Sequence, residues 1–130
     1  MMNPTGLAIR KQDGHGSGEY GAPRGGRMHK GTDYVCFPGQ DVVSPIDGMI
    51  IRKARPYSKG EMSGVLIQGK HVAIKMFYMQ LGKDIKPGRS VQKGDIIGTA
   101  QDVSKVYPGM TPHVHLQIDH LDPAVLTEFI

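Results

Sequence analysis

The feature that most constrains this chain is its punctuation. Eighteen Gly and nine Pro among 130 residues cut the aliphatic and β-branched residues into bursts too short for helical stripes. The bursts run Tyr34 to Phe37, Asp41 to Ser44, Gly48 to Lys53, Val65 to Gln68, His71 to Met79, Ile96 to Thr99 and His113 to Ile118. Between them stand Phe37-Pro38-Gly39-Gln40, Ser44-Pro45-Ile46-Asp47-Gly48, Lys86-Pro87-Gly88 and Gln92-Lys93-Gly94-Asp95, where Pro presets a turn dihedral or Gly accepts a positive φ. Short strands joined by tight turns predict an all-β, compact antiparallel sandwich or barrel. The length suits one domain with one core. Residues 1–28, Gly-rich and polar, are expected to form a loop wrapping a body that spans 29–130. Asp122-Pro123 marks a short helical turn around Ala124 to Phe129.

Sixteen Lys and Arg against twelve Asp and Glu give a net charge of +4. The basic residues are scattered, so the balance is compatible with an anionic partner without demanding one. Nucleic-acid binding has only the isoelectric point behind it and no reading motif, and is set aside. Cys36 is the only cysteine, which rules out an intramolecular disulfide and predicts a buried, inert thiol. No apolar run is long enough to span a membrane, and Met1 to Arg10 lacks the pattern of a secretory signal.

Two short motifs carry chemistry. His29-x-x-x-Asp33 places an imidazole and a carboxylate four residues apart, and alone it is as well explained by a solvated turn. On a strand, His113, His115 and Gln117 share one face while Val114, Leu116 and Ile118 share the other. The two imidazoles therefore serve one pocket, or else form an exposed polar pair. Taken together the motifs offer His, Asp and His, a three-ligand set for zinc that leaves the fourth tetrahedral position open for water.

Four blocks in register extend this. His29-Lys30-Gly31-Thr32-Asp33, Pro38-Gly39-x-x-Val42-x-Ser44-Pro45-x-Asp47-Gly48, Gly88-x-x-Val91-x-x-Gly94-Asp95-x-Ile97-Gly98 and Pro112-His113-Val114-His115 resemble the lysostaphin-type (LytM-like) zinc metallopeptidases over residues 29 to 118. The resemblance implies a duplicated β motif, one zinc ion per chain held by His29, Asp33 and His115, and His113 as general base or transition-state stabiliser. It also implies a second catalytic His in a Tyr-x-His-Leu block, where this chain has Tyr78-Met79-Gln80-Leu81. Gln80, assigned to the catalytic site on this alignment, donates a hydrogen bond but cannot shuttle a proton. Asp13-x-His15-Gly16-x-Gly18-x-Tyr20, Lys75-Met76-Phe77-Tyr78 and Lys105-Val106-Tyr107-Pro108-Gly109 resemble a chemotaxin-like branch of the superfamily. There Cys36 matches a half-cystine whose partner position holds Ala73, and Ser17 occupies another cysteine position.

The expected function is zinc-dependent cleavage of peptide cross-links in bacterial peptidoglycan, outside the cytoplasm, by a monomer whose partners include anionic cell-wall polymer. The alternative is a chemotaxin-like zinc module that binds glycan, peptide or receptor without cutting. Sugar-phosphotransferase carriers and biotinyl domains share only the scaffold pattern. His71, placed about thirty ångströms along one strand from Gln80, is expected to be structural or on the surface. His15 is a candidate for the pocket rim, and Tyr20, Arg24 and Arg27 for an approach to it from the first loop.

Overall fold

The computed structural model describes residues 1–123, so the expected turn around Ala124 to Phe129 lies outside the described residues. The chain is built from antiparallel strands: β1 (Pro23–Arg24), β2 (Arg27–Met28), β3 (Thr32–Val35), β4 (Asp41–Val43), β5 (Gly48–Ala54), β6 (Gly64–Gln68), β7 (Val72–Phe77), β8 (Met79–Leu81), β9 (Ser90–Val91), β10 (Ile96–Ala100) and β11 (His113–Leu121). A six-stranded sheet runs β3-β11-β7-β6-β5-β9, a three-stranded sheet β4-β10-β8, and β1-β2 is a separate hairpin.

Alternation along the strands builds one core between the two larger sheets. Ile50, Val65, Ile67, Ile74, Met76, Val114 and Leu116 of the large sheet share a buried cluster with Val42, Met79, Leu81 and Ile97 of the small one. On β7 the residues of opposite parity, Lys75 and Phe77, turn to the other face of the large sheet, as do His113, His115 and Gln117 on β11. Ile118 does not join the core. It is 54% exposed, and the β11–β7 register shifts just beyond it.

The segment expected to be one strand from His71 to Met79 is two. It breaks at Tyr78, the only non-glycine residue with positive φ (69°) among the described residues. That conformation interrupts the pleat and passes the chain from the large sheet at Phe77 to the small sheet at Met79. Parity therefore cannot be counted from His71 to Gln80.

The first 28 residues are tied to the body as well as carrying the hairpin. Met2 N–H donates to Pro45 O at 2.8 Å, Val43 N–H to Pro4 O at 3.0 Å and Val35 N–H to Ala8 O at 2.8 Å. Cys36 sits in the core at 4% exposure. Burial, with the nearby Asp102 charge adding to it, pushes its thiol up to about 11. A thiol reagent at neutral pH is expected to leave Cys36 unmodified in the native protein and to label it stoichiometrically in denaturant. Rapid native labelling would show that the strand end opens.

Candidate metal centre and cleft

Cross-strand register assembles the centre. His115 lies directly opposite Asp33 on β3 and opposite Phe77 on β7, so the three side chains form a row on the outer face of the large sheet. His29, just after β2, closes the group. His115 Nδ1 is 2.9 Å from Asp33 Oδ1, His29 Nε2 is 3.2 Å from the same oxygen, and the two ring nitrogens are 3.1 Å apart. Zinc bonds of about 2.0–2.1 Å at tetrahedral angles set ligand atoms about 3.3 Å apart. The triangle is close to the size a bound ion requires.

The surrounding hydrogen bonds favour a cation between these atoms. His29 Nδ1 faces Glu19 O at 3.0 Å and His115 Nε2 faces Gln117 Oε1 at 2.8 Å. Donation there leaves His29 Nε2 and His115 Nδ1 as lone pairs turned toward the Asp33 carboxylate. Three acceptors so close repel unless a metal ion or protons stand between them. In the protein without metal, burial pushes the Asp33 carboxyl up, but hydrogen bonds with the His115 and His29 rings outweigh it and hold the group well below the usual carboxylate range.

Asp33 is further braced by Arg10, buried to 2% exposure. Arg10 Nη2 and Nε donate to Asp33 Oδ2 at 3.1 and 3.3 Å, and Nη1 pairs with Asp13 at 2.8 Å. Two glycines let the chains approach this closely. A Cβ on Gly31 would lie 2.7 Å from His115 Nε2, and one on Gly18 would lie 2.9 Å from Asp33 Cβ.

Burial raises the Asp13 carboxyl, but bonds from the Thr111 and His15 amides and from Arg10 bring it down to about 2. A depressed value contributes stability that is present above the ordinary 3.8 and lost as pH falls toward about 2. Asp13→Asn is therefore expected to flatten the fall in melting temperature over that interval. An unchanged acid limb would mean the contact contributes nothing measurable.

His113 stands beside the triangle and outside it. Its Nδ1 donates to Thr111 O at 2.8 Å, and Nε2 lies 3.5 Å from Asp33 Oδ2. Burial pushes its pKa below the ordinary histidine value against the pull of Asp33. The ring is thus a neutral acceptor at Nε2, suited to general-base work.

These groups open on a cleft of about 370 Å³, lined also by His15, Arg24, Arg27, Lys30, Tyr57, Phe77, Tyr78 and Tyr107. Arg24 and Arg27 reach it as expected, and His15 forms part of its rim. Tyr20 is 71% exposed and lines a different groove. His71 is not among the lining residues, and its ring stands 3.6 Å from Asp122. Gln80, assigned to the site by motif, is not brought there: it is exposed on β8, opposite Thr99, between the buried Met79 and Leu81. The break at Tyr78 puts the tyrosine into the cleft and leaves Gln80 outside. Arg10 and the hydroxyls of Tyr57, Tyr78 and Tyr107 were missed from sequence. Gln117 had a signal in its shared parity with His113 and His115.

A His29–Asp33–His115 cluster that could hold a metal ion, on a two-sheet antiparallel scaffold and open to a cleft that carries a further histidine, fits a metallopeptidase domain of the lysostaphin type. The chain belongs to peptidase family M23, whose profile matches residues 27–125. It is 41% identical over 120 residues to leukocyte cell-derived chemotaxin-2 of Bos taurus, covering 90% of this chain and 78% of that protein. The catalytic domain of lysostaphin from Staphylococcus simulans, described as an antimicrobial peptidase, superposes with a TM-score of 0.54 at 24% identity, over 89% of this chain and 91% of that one. A zinc-containing peptidase from Vibrio cholerae superposes with a TM-score of 0.57 at 24% identity, over 88% of this chain and 35% of that one. Among the described residues no helix is long and apolar enough to cross a membrane.

Proposed function

We propose that this domain is a zinc-dependent endopeptidase acting on the peptide cross-links of bacterial peptidoglycan. The observation that carries the proposal is the pairing of a zinc-sized His29–Asp33–His115 triangle with a separate, neutral His113 on the same cleft. Bound there, zinc would supply Lewis acidity toward a scissile carbonyl and would activate a water.

The chain's own residues supply the rest. His113 Nε2 accepts a proton, while its Nδ1 bond to Thr111 O fixes the ring. Phe77 stacks on His115, with centroids 5.6 Å apart and planes 18° apart, and so holds the ligand ring in plane. Arg24, Arg27 and Lys30 line the cleft, where Asp33 is the only carboxylate among the described residues and is already engaged. This cationic rim favours a substrate that carries carboxylates, such as a wall peptide.

The second reading is a zinc-stabilised binding module. The 41% identity to a chemotaxin favours it. The two readings part on one experiment: release of new amino groups from purified peptidoglycans by zinc-loaded protein, beside a chelated control. Release that stops on chelation is the expected result. Folded, zinc-loaded protein that binds wall and releases nothing across several cross-link types would establish the binding module instead.

A further inference from the structure

Tyr78 gathers several independent features. It is the one strained non-glycine position among the described residues, with φ 69°, a conformation that bulky residues hold only where the surroundings impose it. Its backbone is fixed from both sides, by Tyr78 N–H donating to Ser63 O at 2.8 Å and Gln101 N–H donating to Tyr78 O at 2.9 Å. Its ring meets His113 edge-on, with centroids 5.2 Å apart at 85°. The same backbone break that places it in the cleft removes Gln80.

Its hydroxyl ends a chain. Tyr107 Oη donates to Tyr57 Oη at 2.8 Å, and Tyr57 Oη lies 2.7 Å from Tyr78 Oη. Three hydroxyls carry three protons, and the two bonds between them use two. In a head-to-tail arrangement, in which each bond strengthens the next, Tyr57 donates to Tyr78 and the leftover proton is on Tyr78. That proton has no acceptor among the described side chains, and the residue lines the cleft beside the metal triangle.

We infer that the Tyr78 hydroxyl is an oxyanion donor of this cleft, polarised through Tyr57 and Tyr107, and that it binds a tetrahedral oxyanion, or the developing oxyanion of a peptide carbonyl, beside the metal. The inference rests on the reading of the cleft as a metal centre. It assigns to Tyr78 the electrophilic part for which the sequence pattern had suggested position 80. A neutral O–H hydrogen-bonded to an anion is stronger than a bond between neutral groups, and it is worth most where water is excluded.

The test uses zinc-loaded full chain with inorganic phosphate as the tetrahedral probe, titrated by calorimetry, with zinc content measured for every variant. Tyr78→Phe is expected to keep stoichiometric zinc and to weaken phosphate about 10-fold or more, the usual cost of losing a hydrogen bond to a charged group. Tyr57→Phe, which keeps Tyr78 and cuts the relay, is expected to weaken it by a smaller factor, and it carries the test should Tyr78→Phe fail to fold. Wild-type protein without measurable phosphate affinity, or Tyr78→Phe with wild-type affinity, overturns the inference. Should Tyr78→Phe misfold, unchanged affinity in Tyr57→Phe overturns it too. Phosphate binding that depends on Tyr78 in a protein that releases no amino groups from peptidoglycan would leave the inference standing and remove the endopeptidase. Wall cleavage with phosphate affinity indifferent to Tyr78 would do the reverse.

Discussion

His115→Ala is expected to strip the protein of stoichiometric zinc, whereas His113→Ala, two residues away on the same strand face, is expected to retain it. The distinction follows from atom positions. His115 Nδ1 is one corner of the ligand triangle, 2.9 Å from Asp33 Oδ1 and 3.1 Å from His29 Nε2. His113 turns one nitrogen to Thr111 O and approaches only the outer oxygen of Asp33. Loss of an outer-shell partner costs metal affinity about 10–100-fold, and loss of a ligand should cost more. Removing His115 also leaves Asp33 buried at 2% exposure with part of its hydrogen bonding gone, so the metal-free variant should melt lower than metal-free wild type. Zinc content after gel filtration and titration with a competing chelator separate the cases. Equal loss in both variants would show that the strand presents its histidines in another way.

The same His113→Ala protein, folded and zinc-loaded, is expected to lose about 10²–10⁴-fold in cleavage rate, the range that a positioned acid–base group contributes. Its retained zinc is the internal control, because a fall in rate that tracks zinc content would implicate the metal site. A zinc-replete variant that cleaves at the wild-type rate would remove His113 from the chemistry and leave the proton to solvent. The substitution also empties space against Tyr78, whose ring packs on His113. His113→Gln is therefore the companion variant: it fills more of that space and accepts a hydrogen bond, but it cannot carry the proton, and it should remain as slow as His113→Ala.

Much of the scaffold was legible because its signals are local. Pro38-Gly39, Pro45-Ile46-Asp47, Pro87-Gly88 and Lys93-Gly94 fell between strands as their turn chemistry required, and alternation on β11 sent His113 and His115 to one face and Val114 and Leu116 to the core. The misplacements have physical causes. A tyrosine in the left-handed region carries no compositional mark, so the split of the His71 to Met79 burst into β7 and β8 was invisible, and with it the exclusion of Gln80. Arg10 reads as an ordinary surface charge. The approach of Asp13, Asp33 and the Gly16 carbonyl makes its burial tolerable. The hairpin β1-β2 is two residues a side, too short for periodicity to register.

By itself the sequence determined the strand-and-turn grammar and the faces of β11, because turn dihedrals and a period of two depend on neighbours a few residues apart. The tertiary structure decided register and proximity. It set Asp33 against His115 across 82 residues, chose Nδ1 as the free nitrogen of His115 by giving Nε2 to Gln117, and joined Tyr57, Tyr78 and Tyr107 from three separate segments. Those pairings depend on how two sheets share one core, and the packing that fixes register acts between residues far apart in the chain.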